Sequence, residues 1–382
     1  MITLIHGNAF NIPLADKTVQ CCITSPPYWG LRDYGIDGQL GLESTPEEYV
    51  EKLVAVFREV WRVMRDDGVL FLNMGDTYNS SPGNQQSNNV GARGSKAMGR
   101  IKRQIDGLKP KDLCGIPWRV AFALQADGWY LRSDIIWAKP NPMPESVRDR
   151  PTKSHEYLFL LSKSEKYYYD AEAIREGNQV YFRKAGGYKN HHLQMIDDYS
   201  SNKGKGGFAD SDVMTVGHNR RTVWTIPTEP YKGAHFATFP PALVEPCILA
   251  GTSKKGCCSI CGKPWERAME KTSSTMNIRV RDAKKGILQK KSGFDESATE
   301  DEIVNYGKEE LGETKTLGWQ PTCTHDAPPV PCTVLDPFAG TATVGVVAAK
   351  HSRNFVGIEL KSEYIELAKK RIAGTQIYLS IT

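Results

Sequence analysis

The sequence predicts an α/β protein built on a mostly parallel sheet, and three observations support this prediction. Short apolar runs such as "VQCCIT" (19–24) and "VLFLNMG" (69–75) alternate with stretches of helical periodicity. Residues 332–372 follow the order strand, glycine turn, helix, strand and helix, which gives a βαβ unit within about forty positions. The chain has 382 residues, of which 40% are hydrophobic. That is enough for one large core, or for a core domain with an insertion.

The first helix is predicted over 45–68. Apolar side chains recur there with the spacing of an amphipathic helix, at Tyr49, Leu53, Val56, Phe57, Val60 and Met64. Thr45 is placed as an N-cap, Pro46 takes the first helical position, and Gly68 is expected to end the helix. The strand 69–75 then follows directly.

The rest of the chain continues the alternation and then interrupts it. "GIPWRVAFALQADGW" (115–129) predicts a helix, and the runs 130–140 and 155–164 predict strands. Residues 171–230 lose this pattern and are rich in Gly, Lys, His, Asn and Tyr; long irregular segments of this kind are usually functional or disordered. "PPALVEPCILAG" (240–251) predicts a further helix.

Charge and the lack of targeting signals narrow the classes of function. The chain has no run of about eighteen apolar residues, and its start lacks the basic and apolar regions of a secretory signal. A cytoplasmic protein is therefore expected. The net charge of +5 indicates a polyanionic partner only weakly. Basic residues concentrate in 93–111, which suits either a solvated loop or contacts with phosphates.

Nine cysteines are unevenly placed, and five of them cluster around the polar segment 252–331. Two close pairs could supply four metal ligands, namely Cys258, Cys261, Cys323 and His325. Thiolates and one imidazole in two pairs match a closed, structural zinc site of the zinc-ribbon kind. Two alternatives stay open: Cys257 or Cys332 replaces one ligand, or the cysteines are simply reduced and free of metal.

The βαβ unit at the C-terminal end carries the features of a nucleotide-like site. Asp336 ends the first strand, Gly340 lies in the turn before the helix, and Glu359 ends the second strand. A carboxylate at the position of Glu359 can accept both hydroxyls of a ribose, and a glycine lets the backbone approach a ligand closely. The turn lacks the three-glycine spacing that holds a pyrophosphate. A βαβ turn without a ligand is the alternative.

Two motifs together give a family resemblance. "DPFAGTAT" (336–343) with Glu359 resembles the S-adenosylmethionine site of DNA amino-methyltransferases, and "TSPPYW" (24–29) resembles their catalytic tetrapeptide. The catalytic motif precedes the cofactor motif, which matches the permuted β-group of the N4-cytosine/N6-adenine family, of restriction-modification or prophage type. The resemblance implies a Rossmann-like S-adenosylmethionine-dependent methyltransferase fold in which both chain ends join one sheet.

The resemblance also implies which residues bind the cofactor. "LIHGNAF" (4–10) resembles the segment that contacts adenine, with Asn8 where aspartate is common, and "HFATFPPALVEPCILAG" (235–251) resembles the helix along the methionine moiety. Ala342 replaces a frequent glycine of the cofactor loop. The implied cofactor-binding residues are Asn8, His235, Phe236, Phe239, Asp336, Phe338, Gly340, Thr341 and Glu359.

The tetrapeptide Ser25, Pro26, Pro27 and Tyr28 suits methylation of an exocyclic amine. The amine lone pair is delocalised into the base, so acceptors must pull the nitrogen toward tetrahedral geometry; the Ser25 hydroxyl and the Pro26 carbonyl can do this. The prolines stiffen the corner, and Tyr28 can stack on a base flipped from duplex DNA. Serine at this position resembles the cytosine-N4 enzymes more than the adenine-N6 enzymes.

Further residues are assigned to the substrate by the same resemblance. Candidates beside the flipped base are Trp29, Trp137, Lys139 and Asn141, although Trp137 fits the core equally well, and Asp76 is a candidate support for the catalytic loop. The segment 171–230 lies where the family carries its target-recognition region. Its candidate DNA-binding residues are Arg183, Lys184, Lys189, Arg220 and Arg221, with a solvated basic loop as the alternative.

These inferences give a predicted organisation and function. The predicted parts are a catalytic half (1–170), a target-recognition region (171–230), a cofactor-domain helix (231–251), a cysteine-rich insert (252–331) and a cofactor-binding half (332–382). The predicted activity is methylation of cytosine N4 in DNA by S-adenosylmethionine, with adenine N6 as the alternative. An inactive nucleic-acid-binding protein and a methyltransferase acting on RNA or a protein glutamine are rivals. A homodimer and a cognate restriction endonuclease stay open.

Overall fold

The computed structural model describes most of the chain. The described residues are 1–31, 33, 35–79, 107–176, 218–229, 239–275 and 310–379. They fall into two units, of which the first comprises Met1–Ile174, Asn219–Glu266 and Pro321–Thr382, and the second Arg175–His218 and Arg267–Gln320. Within the described residues, no helix is both long and apolar enough to span a membrane.

The described residues form twelve strands and five α-helices. In chain order the strands are β1 (Ile2–His6), β2 (Val19–Thr24), β3 (Met64–Met74), β4 (Tyr130–Ala138), β5 (His155–Ser162), β6 (Val223–Thr225), β7 (Cys257–Cys258), β8 (Trp265–Thr275), β9 (Glu310–Pro321), β10 (Pro329–Val330), β11 (Thr333–Asp336) and β12 (Asn354–Glu359). The helices are α1 (Pro46–Val63), α2 (Ile116–Ala126), α3 (Pro241–Gly251), α4 (Thr343–Lys350) and α5 (Ser362–Leu379).

Eight strands of the first unit form one sheet in the order β1-β12-β11-β2-β3-β5-β4-β6. All neighbours are parallel except that β5 runs antiparallel to both β3 and β4. The mostly parallel sheet predicted from the sequence is therefore confirmed. The C-terminal strands β11 and β12 lie between the N-terminal strands β1 and β2, so both ends of the chain contribute to one sheet. The carboxyl ends of these four strands meet at one edge.

Helices cover both faces of this sheet. Along β2, Cys22 packs into the apolar cluster beneath α1 and α2, whereas Cys21 and Ile23 pack into the cluster beneath α3 and α4. Successive side chains of a strand point to opposite faces, so a strand covered on both sides is apolar throughout. This explains why "VQCCIT" is a continuous buried run.

The helix predicted over 45–68 is shorter than expected. The Thr45 hydroxyl accepts a hydrogen bond from the Glu48 amide at 3.2 Å, which confirms the cap, but the helix ends at Val63. Met64 is extended and begins β3, so Gly68 lies inside a strand instead of ending a helix. A Cβ on Gly68 would lie 2.9 Å from the Gln20 carbonyl oxygen. Glycine is required there because β2 and β3 approach closely at a bulge.

In the second unit, β8 and β9 form a two-stranded sheet within the segment predicted as a cysteine-rich insert. The Arg267 guanidinium lies 4.8 Å from the centre of the Trp319 ring and donates to the Thr316 hydroxyl at 3.2 Å. A backbone bridge joins Glu176 to His218. Each of these contacts lies within one of the two chain segments of the second unit.

Candidate active site

A cavity of about 190 Å³ lies at the carboxyl edge of the large sheet. The loops that follow β1, β2, β11 and β12 line it, because the parallel strands all end at this edge. The predicted residues that line it are Asn8, Ser25, Pro26, Pro27, Tyr28, Phe239, Asp336, Phe338, Gly340, Thr341 and Glu359. The sheet thus brings the two motifs together, although they are more than 300 positions apart in the chain. His235 and Phe236 lie outside the described residues.

Asp336 ends β11 at the floor of the cavity and is 2% exposed. One of its carboxylate oxygens accepts hydrogen bonds from the Thr24 hydroxyl at 2.7 Å and from the Phe338 amide at 3.1 Å. Burial and, to a smaller extent, the neighbouring Glu359 charge raise the pKa of Asp336 to about 7, which outweighs the effect of these two bonds. A cationic ligand in the cavity would favour the ionised form.

Glu359 ends β12 on the neighbouring strand. Its two carboxylate oxygens accept one backbone amide each, from Gly340 and from Lys361, both at 2.8 Å. Burial raises the pKa of Glu359 in spite of these bonds. A carboxylate offers about four acceptor positions, so Glu359 can still accept hydroxyl hydrogens from a ligand.

The turn between β11 and α4 uses left-handed backbone twice. Gly340 has φ +51°, and Ala342, at the N-cap of α4, has φ +56° and ψ +49°. An alanine in this region is strained by about 1 kcal/mol relative to glycine. Ala342 is fully buried beneath the sheet, where its methyl group packs against the core. Ala342, which stands where the family frequently has glycine, therefore keeps the left-handed turn.

Aromatic side chains fix the tetrapeptide Ser25–Tyr28 in place. The Tyr49 hydroxyl, from α1, donates to the Pro27 carbonyl at 2.8 Å. The Trp29 indole donates to the Glu43 carbonyl at 3.0 Å. A Cβ on Gly75 would lie 2.7 Å from the Tyr28 ring, so a glycine at that position leaves room for the ring. These contacts fix the corner before any ligand binds.

A chain of hydroxyl groups leads from the cavity into the sheet. The Ser25 hydroxyl donates to the Tyr28 phenol oxygen at 3.2 Å, and the Tyr28 hydroxyl donates to Glu156 at 2.7 Å. The Asn73 amide donates to both the Tyr28 oxygen and Glu156, at 2.8 and 2.9 Å. Lys139 forms an ion pair with the other oxygen of Glu156. Burial would raise the pKa of Glu156, but the Lys139 charge and these bonds hold it below its usual value.

Sequence reasoning missed Asn73 and Glu156. Asn73 follows the apolar run Val69–Leu72 of β3, and Glu156 lies near the start of β5, whose remaining residues are mostly apolar. A polar residue within a buried strand was the available signal, because such groups are buried only with partners. Since β5 is antiparallel, its first residues lie at the same sheet edge as the ends of the parallel strands.

The structure does not place the two predicted tryptophans in the cavity. Trp29 and Trp137 are each 3% exposed, and the Trp137 indole donates to the Ile226 carbonyl at 2.8 Å. Both belong to the apolar clusters of the sheet. Trp137 is therefore a core residue, which was the alternative considered from the sequence, and so is Trp29. An indole suits this role because it fills a large apolar space and needs only one partner for its N–H.

Lys139, Asn141 and Asp76 also have structural partners. The Lys139 ammonium lies 4.2 Å from the centre of the Trp137 ring while it pairs with Glu156. The Asn141 side chain accepts from the Thr228 amide at 2.8 Å and fixes that segment. The Asp76 carboxylate accepts the Gly115 and Ile116 amides at 3.1 and 3.0 Å, so it caps the start of α2.

Two of the five predicted DNA-binding residues are described. The Arg220 guanidinium lies 4.5 Å from the centre of the Trp224 ring, and Arg221 is exposed, with its carbonyl accepting the Trp224 indole N–H at 2.7 Å. Arg183, Lys184 and Lys189 lie outside the described residues, as do most of the basic residues of 93–111.

The four predicted metal ligands converge. One ligand atom from each of Cys258, Cys261, Cys323 and His325 lies within 4.8 Å of all the others. Gly262, with φ +69°, turns the chain after the first pair, and its amide donates to the Cys258 carbonyl at 2.9 Å. Arg65 donates to the Cys261 carbonyl. These contacts attach the cluster near the start of β3, at the sheet edge opposite the cavity.

The remaining cysteines of this segment point elsewhere. The Cys257 thiol lies 3.5 Å from the Val330 carbonyl, and the Cys332 thiol lies 4.0 Å from the Ser253 carbonyl. Among the residues that the structure describes, neither belongs to the four-residue cluster. The alternative ligand sets considered from the sequence therefore have no geometric support.

The fold and the cavity together define a methyltransferase-like protein, and comparison with known families identifies which one. A model of DNA methylases of the N6/N4 type matches residues 19–258 and 332–370, and the chain belongs to this family. It is 41% identical to the Type II methyltransferase M.Cfr9I of Citrobacter freundii, over 97% of this chain and 88% of the relative. It is 39% identical to the Type II methyltransferase M.SmaI of Serratia marcescens, over 94% and 86%.

Among solved structures, the chain resembles PvuII DNA methyltransferase (cytosine-N4-specific). The TM-score is 0.51 at 15% sequence identity, and the alignment covers 97% of this chain and 86% of that one. At this level of identity the likeness shows a shared fold.

Proposed function

We propose that this DNA methyltransferase is a site-specific, Type II enzyme of the permuted β-group that transfers a methyl group from S-adenosylmethionine to the N4 amine of cytosine. The observation that carries the proposal is a single cavity lined by both the Ser25–Tyr28 corner and the Asp336–Glu359 carboxylate pair. A Type II assignment, supported by the names of the relatives, predicts a restriction endonuclease of the same specificity as partner.

The cavity fits S-adenosylmethionine chemically. Glu359 offers two carboxylate oxygens to the ribose hydroxyls, and the aromatic side chains of Phe338 and Tyr364 offer apolar surface to the adenine. Among the described residues, neither Asp336 nor Glu359 has an ion-pair partner. A buried carboxylate beside a partly buried one suits a ligand that carries an ammonium and a sulfonium group. When bound, this cofactor supplies an electrophilic methyl group on a cationic sulfur.

The protein prepares the amine for that methyl group. The Ser25 hydroxyl and the Pro26 carbonyl accept the two amine hydrogens, which draws the nitrogen out of conjugation with the ring. The Tyr28 ring provides a face for the base, while Tyr49 holds the corner by its bond to Pro27. A paired base cannot reach these groups, so the target nucleotide is flipped out of the duplex.

Serine at the head of the tetrapeptide favours cytosine N4 over adenine N6. The serine hydroxyl is a neutral acceptor that can orient an amine. The same corner would also accept the amine of adenine, so adenine N6 is the second candidate. An inactive binding protein is disfavoured because the carboxylate pair and the tetrapeptide line one cavity. Arg220, Arg221 and the basic segment 171–230 supply the expected DNA contacts.

The test is to incubate the purified protein with S-adenosylmethionine and unmethylated duplex DNA, then to digest the DNA to nucleosides for mass spectrometry. N4-methylcytosine is expected. N6-methyladenine would keep the mechanism and overturn the base. The absence of both marks, with cofactor binding seen by calorimetry, would contradict DNA as substrate, and parallel reactions with RNA and protein would then identify the acceptor.

We further propose that Cys258, Cys261, Cys323 and His325 hold a structural zinc ion. Three thiols and an imidazole from two close pairs form a donor set typical of structural zinc, with no position left for a substrate. The pairs directly flank β8 and β9, so the ion would join the two chain segments that enter and leave this pair of strands. Its place at the edge opposite the cavity excludes a direct part in methyl transfer.

The zinc proposal predicts one zinc per chain in protein purified without chelator, measured by elemental mass spectrometry. Cys261→Ser and Cys323→Ser are each expected to lower this content to near zero, because three ligands hold zinc much more weakly than four. Cys332→Ser is the control and should keep the metal. Retention of zinc by both ligand variants, or its absence from the unmodified protein, would refute the site.

A further inference from the structure

Glu156 is the partly buried end of the hydroxyl chain that begins at the cavity, and the methylation mechanism described above does not use it. One of its oxygens accepts from the Tyr28 hydroxyl and the Asn73 amide, at 2.7 and 2.9 Å. The other oxygen pairs with Lys139. Its side chain is 16% exposed. A carboxylate held by three donors beside a catalytic corner is more than a packing residue.

Glu156 fixes the direction of every hydrogen bond in this chain. An ionised carboxylate only accepts, so the Tyr28 hydroxyl must donate to it. The Tyr28 oxygen is then an acceptor, and the Ser25 hydroxyl donates to it at 3.2 Å. With its only hydrogen committed to Tyr28, Ser25 presents lone pairs alone to the cavity. A serine without this arrangement could turn and donate to the substrate instead.

We propose that Glu156 is a positioning residue which, through Tyr28, sets the Ser25 hydroxyl as an acceptor for the substrate amine and receives the proton that this amine releases. The inference rests on the proposed amino-methyltransferase function and deepens it. It also explains why serine suffices at position 25, because the negative charge that activates the amine lies two hydrogen bonds away, at Glu156.

The proton transfer balances without any further reactant. As the nitrogen–methyl bond forms, the sulfur–methyl bond breaks and its electron pair stays on sulfur, leaving an extra proton on the amine nitrogen. That proton passes to the Ser25 oxygen, the Ser25 proton passes to the Tyr28 oxygen, and the Tyr28 proton passes to Glu156, which becomes neutral. A protonated amine on an aromatic base is a strong acid, so a carboxylate whose pKa is held low can still accept its proton.

The first test is a double-mutant cycle in single-turnover methylation with saturating DNA and cofactor. Tyr28→Phe keeps the ring and removes the hydroxyl, and Glu156→Gln keeps the shape and removes the charge. Each is expected to lower the rate by about 10- to 100-fold, the range of general acid–base assistance, with the affinity for S-adenosylmethionine unchanged. The double variant should be no slower than the slower single variant, because both break one chain. Multiplicative losses would overturn the proposal.

A binding measurement tests the orientation of Ser25 without turnover. The DNA sequence that the wild-type protein methylates is determined first. The affinities of duplexes that carry either cytosine or uracil at the target position of that sequence are then compared. Uracil presents an oxygen in place of the amine, so a Ser25 that only accepts should disfavour it by about 10-fold. Glu156→Gln should lose this preference, because Ser25 can then donate. An unchanged preference in the variant would refute the orienting role.

Glu145→Gln is the matched control for both measurements. Glu145 pairs with Arg150 at 2.7 Å, and its side chain is 22% exposed, so it resembles Glu156 in burial and in having a cationic partner. It does not line the cavity. Its replacement should change neither the rate nor the base preference. If the wild-type protein methylates no DNA, the proposed function fails; if it does and Glu156→Gln behaves like this control, only the present inference fails.

Discussion

Replacing Glu359 with alanine is expected to weaken S-adenosylmethionine binding by about 100-fold, because the two charge-assisted hydrogen bonds proposed to the ribose are lost at once. The carboxylate already orders the site, since it accepts the Gly340 and Lys361 amides at 2.8 Å. Its removal therefore also frees the glycine turn that lines the cavity. Isothermal titration calorimetry of the purified protein measures the change directly.

Two further variants make the Glu359 result interpretable. Glu359→Gln keeps the size of the side chain, but its amide nitrogen cannot accept the backbone N–H that the lost oxygen accepted, so an intermediate loss of affinity is expected. Glu363→Ala, in the first turn of α5, removes a carboxylate that lies outside the cavity lining and should bind like the parent. Equal affinities for Glu359→Ala and the parent would show that the ribose lies elsewhere.

The sequence predicted the two motifs of the cavity because each depends on local chemistry. Asp336 and Glu359 follow apolar strands, and the carboxyl ends of parallel strands share one edge, so their proximity follows from a βαβ unit alone. The Ser25–Tyr28 corner was recognisable from its two prolines. The Cys/His cluster was recognisable for a similar reason, since closely spaced cysteine and histidine pairs are typical of metal sites.

Other features depend on contacts between segments that are distant in the chain, and the hydrophobic periodicity of the sequence carries no information about such contacts. Gly68 looks like a helix stop in the sequence, yet it permits the close approach of β2 to β3. Trp29 and Trp137 look like site aromatics, yet both fill the core. Glu156 is 128 positions from Tyr28, and only the antiparallel course of β5 brings its first residues to the cavity edge. The first strand, Ile2–His6, was also missed, since its partner β12 comes from the other end of the chain.

Ser25→Ala is expected to slow methyl transfer by about 100-fold in single-turnover experiments, the size of effect seen when one preorganised polar group is removed from a reacting centre. The loss should fall on the rate at saturation, because Ser25 is proposed to act on the amine during the reaction. The affinity for S-adenosylmethionine should stay the same, since the carboxylate pair that we propose holds the cofactor is untouched. Rapid-quench measurement of methylated nucleoside, together with calorimetry, separates these two quantities.

Ser25→Asp distinguishes an acceptor role from a packing role. A carboxylate accepts hydrogen bonds more strongly than a hydroxyl, so this variant should recover part of the activity that alanine loses. It would also lie near Glu156 through Tyr28, and repulsion between two negative charges should keep the recovery incomplete. Ser44→Ala, at an exposed serine before α1, controls for loss of a hydroxyl. If aspartate restored nothing and alanine cost nothing, the amine would have to be activated by the Pro26 carbonyl alone.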